Sequence, residues 1–386
     1  MKKTLYHVLI LLFTVVMTIG LFSCNKTDDH LNNDGSLDTG DTPSIDTNGS
    51  SNDEGKGNST ENNSTTGSGT TGDNNNTADS NNDNDAAEEV DSRLIFTLLN
   101  KGTYAVKGIN DKTAVEIVIP KKYNGKSVTS IDNSAFENCT ALTSVTIPDS
   151  VTSIGYAAFR DCSALSNIVI PNSVTSMGDC IFTDCKNLTS VTLSNSIKRI
   201  GTSMFEWCSN LTSITIPNSV SSIGSHAFYN CLKLESITIP GSVKEIGYRA
   251  FSACEMLTDI TIENGVTSIG SNAFQYCSEL TDITIPGSVT DIGEHAFDDC
   301  SSLTSVIIKN GVKNIGNHAF TFCTKLKSVT LPSSIISIGE KAFYDCDKLI
   351  SIKYCGDKAQ WDIIEKGSKW DNLTDDYTIT YNYTGE

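Results

Sequence analysis

Basic residues, proline and histidine are scarce in this chain. Against 46 Asp and Glu stand only 28 Lys and Arg, with 8 Pro and 5 His in 386 residues. A nucleic-acid footprint needs a basic stripe, and a formal net charge of −18 points away from one. Catalytic motifs are missing as well: no GxSxG, HExxH, P-loop or CxxC occurs. Gly67-Ser68-Gly69-Thr70-Thr71-Gly72 matches GxGxxG, but no strand pattern precedes it and no helix pattern follows, so the match is compositional. The expectation is a protein that is not an enzyme and carries no cofactor. Long hydrophobic runs are also absent, except for Val8 to Leu21, interrupted by two Thr and a Gly.

That run follows Lys2 and Lys3, is short for a membrane span, and suits a secretory signal. It ends at Leu21-Phe22-Ser23-Cys24, which resembles a bacterial lipobox, although Phe22 is bulkier than the pattern usually has. The resemblance implies a signal peptide over residues 1–23, lipidation of Cys24 and anchoring of the exported chain in a membrane. An ordinary signal peptide is the alternative. Residues 24–91 are an Asn/Asp/Ser/Thr/Gly tract; from residue 25 it holds sixteen acids against two Lys. Its few aliphatics cannot offset the entropy of ordering, so a disordered acidic linker is expected.

Beyond residue 91 one period dominates. Phe recurs every 23 residues from Phe136 to Phe343, ten times, with Cys three residues after each Phe and Leu three after each Cys. In the unit Leu142 to Ala164, Leu142, Val145 and Ile147 alternate with polar Thr146 at strand spacing. Pro148 follows the strand, Val151 and Ile154 form a second apolar pair, and Gly155 turns the chain. Such a unit cannot bury enough surface to fold alone, so neighbours must stack into a repeat solenoid of ten 23-residue coils with short parallel strands. Ser194, Glu263 and Lys309 replace the strand-end Pro, and Ile181 and Met204 replace the Ala before Phe. These departures, with Asp132 in the Gly position, are expected to loosen or crowd the coil.

The unit resembles the BspA-type leucine-rich repeat, C-x-x-L-x-x-[VI]-x-[IL]-P-x-x-V-x-x-I-G-x-x-A-F. The likeness covers about residues 115–354 and implies a β-rich leucine-rich repeat solenoid over residues 131–354. Gly102-Thr103-Tyr104-Ala105-Val106, with Ile117 to Pro120 and Tyr123 to Lys126, resembles the family's amino-terminal β-cap, placed at 92–130. Five extra residues between Pro120 and Val128 make an insertion in the first coil. Gly356 to Ile364 and Gly367 to Trp370 resemble its carboxy-terminal cap, placed at 355–386.

Thirteen Cys in an exported chain raise the question of disulfides. Ten lie in one inward slot, where a reduced thiol serves as a small buried hydrophobe, although coil spacing also permits bridges. Cys180 and Cys355 fall outside that slot, Cys180 at an outward, variable position. His226, His295 and His318 all stand two residues before Phe, and no third ligand repeats with them, so no metal is expected. Asp259 and Asp282 stack on neighbouring strands in a column that is mostly Ser, which reads as an exposed polar ladder.

Two surfaces are candidates for binding. One is the strand face, with Thr192, Thr215, Thr238, Thr261 and Thr284 beside Ser190, Ser213 and Ser236. The other is the turn after Phe, which varies most and carries Trp207, Tyr229, Tyr276, Phe322 and Tyr344 as candidate ligand contacts. The family resemblance implies an adhesin-like surface protein. Its partners would be host extracellular-matrix proteins or surface proteins of other bacteria. A glycan-binding lipoprotein and a structural envelope spacer are the alternatives.

Overall fold

The computed structural model describes residues 90–371 and 377–385. The expected signal peptide, Cys24 and nearly all of the linker lie outside the described residues. The rest is a parallel β-solenoid of about twelve turns with a repeat of about 23 residues and almost no helix.

Each coil lays down two short strands. The first is the alternating segment read from the sequence: Ser236–Ile239 buries Ile237 and Ile239 and exposes Ser236 and Thr238. It pairs in parallel with Asp259–Ile262, residue for residue at a shift of 23. The second strand is two residues long, as in Ser222–Ile223, and from Arg199–Ile200 to Glu365–Lys366 eight such strands form one sheet. The third side is a turn around Phe, where the backbone N–H of Phe136 donates to Ala158 O (2.8 Å) and that of Phe228 to Ala250 O (2.7 Å). Backbone groups on all three sides therefore pair with the neighbouring coil, while the turns add bonds within a coil, as from Leu142 N–H to Cys139 O at 3.1 Å.

The ten Phe rings form a single stack through the core, each at most 1% exposed. Successive centroids lie 4.9–5.7 Å apart with interplanar angles of 1–14°. The two widest steps, 5.7 and 5.5 Å, flank Phe182. There Ile181 and Met204, both fully buried, stand in the Ala slot. The second-strand ladder breaks at the same place, between Ser176–Met177 and Arg199–Ile200. The crowding expected from those two residues is thus accommodated by a wider step.

The Pro replacements act the opposite way to the loosening expected of them. Glu263 N–H donates to Ile239 O and Lys309 N–H to Ile285 O, each at 3.0 Å. Pro has no N–H to offer, so these substitutions add a coil-to-coil bond. Ser194 uses its hydroxyl, which donates to Val174 O at 2.7 Å. Asp132 makes the same backbone bond as the glycines, its N–H donating to Val106 O at 2.9 Å. Cys180 is buried and not outward. Its backbone is left-handed (φ 58), like that of Ala157 and Ser203 at the same position of the adjacent coils, and all three residues are buried.

At the amino-terminal end Leu94–Leu98 and Tyr104–Ile109 pair antiparallel. The inserted residues make a hairpin, Lys122–Tyr123 with Lys126–Ile131, turned by Asn124 (φ 50) and Gly125 (φ 74). Two consecutive positive φ values are what a tight two-residue hairpin turn demands, and Asn-Gly suits them. Tyr123 then stacks on Phe96 at 4.0 Å. At the other end Trp370 meets Phe343 edge-on at 6.3 Å and Trp361 at 5.9 Å, ending the Phe stack. The helix Lys358–Asp362 starts with a capping box between Asp357 and Gln360.

The repeated Gly is required by proximity. A Cβ on Gly293 would lie 2.5 Å from Gly270 C and 2.6 Å from Ser271 N of the preceding coil. Gly293→Ala should therefore destabilise the solenoid by about 1–3 kcal/mol through overpacking against backbone that cannot yield. A lower urea midpoint with unchanged fold by circular dichroism is the expected result, and an unchanged midpoint contradicts this account of the spacing.

Candidate binding surface

The turn around Phe has a fixed conformation that decides which side chains reach solvent. In every repeat the residues two before and two after Phe have positive φ: 51–59° from Ser134 to Lys341 and 55–62° from Asn138 to Asp345. These residues also hold the coils together. The N–H two after Phe donates to the carbonyl one after the next Phe, as in Trp207 to Tyr229 (2.8 Å), Tyr276 to Asp298 (2.9 Å) and Phe322 to Tyr344 (2.9 Å). The N–H of His226, two before Phe, donates likewise to Tyr248 O at 2.8 Å. Side chains on this edge can therefore meet across coils at a separation of 22 residues as well as at 23.

The five candidate contact residues fall into two positions. Trp207, Tyr276 and Phe322 occupy the left-handed site after Phe, while Tyr229 and Tyr344 lie one residue after Phe; all five are half-buried. The rings of Trp207 and Tyr229 meet edge-to-face at 6.0 Å, and those of Phe322 and Tyr344 at 6.5 Å. The five do not form one patch. Three further residues, which the sequence reading did not propose as contacts, extend the first pair. His226 meets Tyr229 at 5.6 Å and Tyr248 at 5.2 Å, and the Arg249 guanidinium lies over the Tyr248 ring at 5.2 Å. The 22-residue offset was the signal that could have found them.

The strand face carries the expected polar columns, with Thr192, Thr215, Thr238, Thr261 and Thr284 all exposed. A shallow groove of 480 Å³ crosses it, lined among others by Ser213, Thr215, Asn218, Thr238 and Glu263. Asp259 and Asp282 stand on successive coils, but their strands belong to separate ladders. Asp282 accepts from the hydroxyls of Ser305 and Thr304. A second open groove, 780 Å³, lies on the short-strand face beside Asp132, Tyr156, Asp179 and Arg199.

The titratable groups take their character from the stack. His295 and His318 lie parallel with centroids 4.6 Å apart. His295 Nδ1 meets Asp298 Oδ2 at 3.0 Å, and this bond pushes its pKa up. Burial, followed by the charge of His295, pushes that of His318 down. His226 is lowered by burial and then by Arg249. Among the described residues no group of three or more His, Cys, Asp or Glu side chains is placed to hold a metal ion.

All ten ladder cysteines are buried free thiols. From Cys162 to Cys346 each Sγ donates to the carbonyl of a Phe in the preceding coil, at 3.1–3.3 Å. That carbonyl already accepts the backbone N–H of its own coil's Cys, as Phe159 O does from Cys162 at 3.2 Å. The thiol thus fills the second lone pair of a buried oxygen, a task that Ala in the same slot could not perform.

Comparison with known proteins places this architecture. A model of the BspA type leucine rich repeat region matches residues 129–258 and 247–362, with six copies, more than half of the chain. The chain belongs to this family. Solved structures similar to this BspA-type protein include a leucine-rich cell surface protein from Faecalibacterium prausnitzii A2-165. It is 27% identical, with 72% of this chain and 97% of that one covered and a TM-score of 0.40. Another is a leucine-rich repeat protein of T. pallidum, 28% identical over 50% of this chain and 91% of that one, with a TM-score of 0.47. A third, from Bacteroides ovatus, is 24% identical over 76% and 99%, with a TM-score of 0.37. No curated protein matches.

Burial raises the pKa of nine ladder thiols, Cys139 to Cys323. A group raised in the folded state contributes fully below its unfolded value, which for a thiol is 9.0, and loses that contribution as pH rises further. The melting temperature of this BspA-type solenoid should therefore hold steady to about pH 8 and fall steeply by about pH 10. Each thiol that ionises only on unfolding removes about 1.4 kcal/mol per pH unit above its unfolded value. A melting temperature flat across that range would show that the thiols ionise without unfolding.

Proposed function

We propose that this protein is an adhesin-like surface protein that binds host matrix proteins or the surface proteins of other cells through the turn edge of its solenoid. In this reading a lipid anchor at Cys24 and the acidic tract behind it tether the head to a membrane. Among the described residues no helix is long and apolar enough to cross one. Leucine-rich repeat solenoids present long surfaces to macromolecules as a rule, and the chain's membership of the family supports a binding role over catalysis.

One observation carries the choice of edge. The left-handed site after Phe holds Asn or Asp in six of ten coils, the residues that tolerate that conformation best. In three coils it holds Trp207 (φ 62), Tyr276 (φ 62) and Phe322 (φ 59). A bulky side chain there costs on the order of 1 kcal/mol relative to Asn. Half-burial recovers part of that cost, and a ligand that covers the rings accounts for the remainder.

Replacing all three aromatics with Asn separates fold from function. The triple variant Trp207→Asn, Tyr276→Asn, Phe322→Asn should keep its melting temperature or gain in it. It should lose saturable binding to immobilised matrix protein and to partner cells. Binding that survives the triple substitution moves the contact to the strand face, and absence of binding by the parent chain overturns the adhesin reading in favour of a glycan-binding lipoprotein or an envelope spacer.

A further inference from the structure

The chain has four arginines, and three of them are neutralised. Arg93 pairs with Asp91 at 2.7 Å, Arg160 with Asp161 at 3.5 Å, and Arg199 with Asp179 at 2.6 Å. Arg249 differs. It makes no ion pair or side-chain hydrogen bond among the described residues, and its buried Nε has no partner. In a protein of net charge −18 a guanidinium could readily have been given a carboxylate. Instead it rests on Tyr248, which is 41% exposed, at the end of an unbroken chain of rings. That chain runs Trp207, Tyr229, His226, Tyr248 over three consecutive coils, with centroid steps of 6.0, 5.6 and 5.2 Å.

We propose that this edge is a binding site for a carboxylated glycan, and the proposal rests on the turn edge being the binding face. A pyranose ring lays its C–H face on an aromatic ring while its carboxylate takes the planar, bidentate donors of Arg249. The rings lie on coils that repeat at about 4.8 Å, close to the length of one sugar in an extended chain. Consecutive sugars therefore meet consecutive coils. Burial and the neighbouring Arg249 charge keep His226 neutral, so it offers a ring face and one N–H without competing for the carboxylate.

A peptide fits this edge less well. The backbone donors here are already used between coils: Trp207 to Tyr229 O, His226 to Tyr248 O, Phe228 to Ala250 O and Asn230 to Ser252 O. No ladder is left open for an added strand, and neither of the grooves described above is lined by these residues. What remains is a row of rings, each turned edge-to-face to the next (82°, 88° and 78°), ending in one unneutralised cation, which matches a polymer of apolar ring faces carrying carboxylates. Uronic and sialic acids share that chemistry.

The test uses the full chain and calorimetric titration with tetragalacturonate and with sialyllactose, which separates the two sources. Methyl-esterified tetragalacturonate and cellotetraose serve as uncharged controls. At least one acidic sugar should bind saturably and more weakly as salt rises, and the controls should not. Arg249→Gln and Trp207→Ala should each weaken binding by about tenfold or more, Arg249→Lys by less, and Lys348→Gln, an exposed cation remote from this edge, should leave it unchanged. Melting temperatures of all four variants distinguish a lost site from a lost fold. No binding of either acid, or binding indifferent to Arg249→Gln in a folded variant, overturns the proposal. If matrix-protein binding is then still lost in Trp207→Asn, the edge takes an acidic protein and the adhesin reading stands; if that is absent too, both fall.

Discussion

Coil-to-coil backbone pairing at a fixed shift is the constraint on which everything else in this protein depends. A single 23-residue coil has too little apolar surface to fold, and the hydrogen bonds it needs are offered by the next coil on all three sides. Bonds of that kind require the backbones to approach to ladder distance everywhere at once. At the corner between the short strand and the turn the approach is so close that no Cβ fits, and nine of ten repeats have Gly there. On either side of Phe the chain turns through two left-handed residues, so the donors on that edge also face the neighbour.

Once the backbones are locked at one rise, side chains inherit the spacing and interact mainly with their own equivalents. The Phe stack is the apolar case. The cysteines are the polar one, each thiol closing the second lone pair of a Phe carbonyl one coil away. Even where the column holds ionisable groups, the geometry is imposed. His295 and His318 stack at 4.6 Å because both stand two residues before Phe, and their pKa values move in opposite directions because Asp298 bonds the first, while burial and then the charge of His295 act on the second. Columns are therefore the unit in which this fold can be altered, and widening one step, as Ile181 and Met204 do, interrupts a ladder without ending the stack.

Much of this was legible in the sequence, because a strict period reports what must face inward. Phe136 to Phe343, the Leu and Cys that follow them, and the exposed Thr column all stand where the spacing put them. Where structure and expectation differ, the backbone and not the side-chain pattern sets the outcome. Glu263 and Lys309 were expected to loosen the coil by departing from Pro, yet they restore an N–H that the ladder uses. Cys180 stands at an outward position by count, yet it is buried at a residue of left-handed φ. Tyr248 and Arg249 escape a strict 23-residue alignment, because the contact that joins them to His226 spans 22 residues.

The same constraint explains how so regular a molecule can be specific. On the strand face β-pairing dictates small, β-branched side chains, and a column of Thr leaves little room for a distinctive site. On the turn edge the coil bonds hold the backbone whatever the side chain, so a residue poorly suited to left-handed φ can still be held there by its neighbours. Trp207 sits in such a position with its N–H bonded to Tyr229 O, where Asp184 and Asn230 occupy the equivalent sites one coil to either side. Rigidity supplied by the stack thus permits local strain, and local strain permits large rings at fixed spacing. A binding edge can then change coil by coil, while the Phe, Cys and Gly positions that make it possible stay as they are.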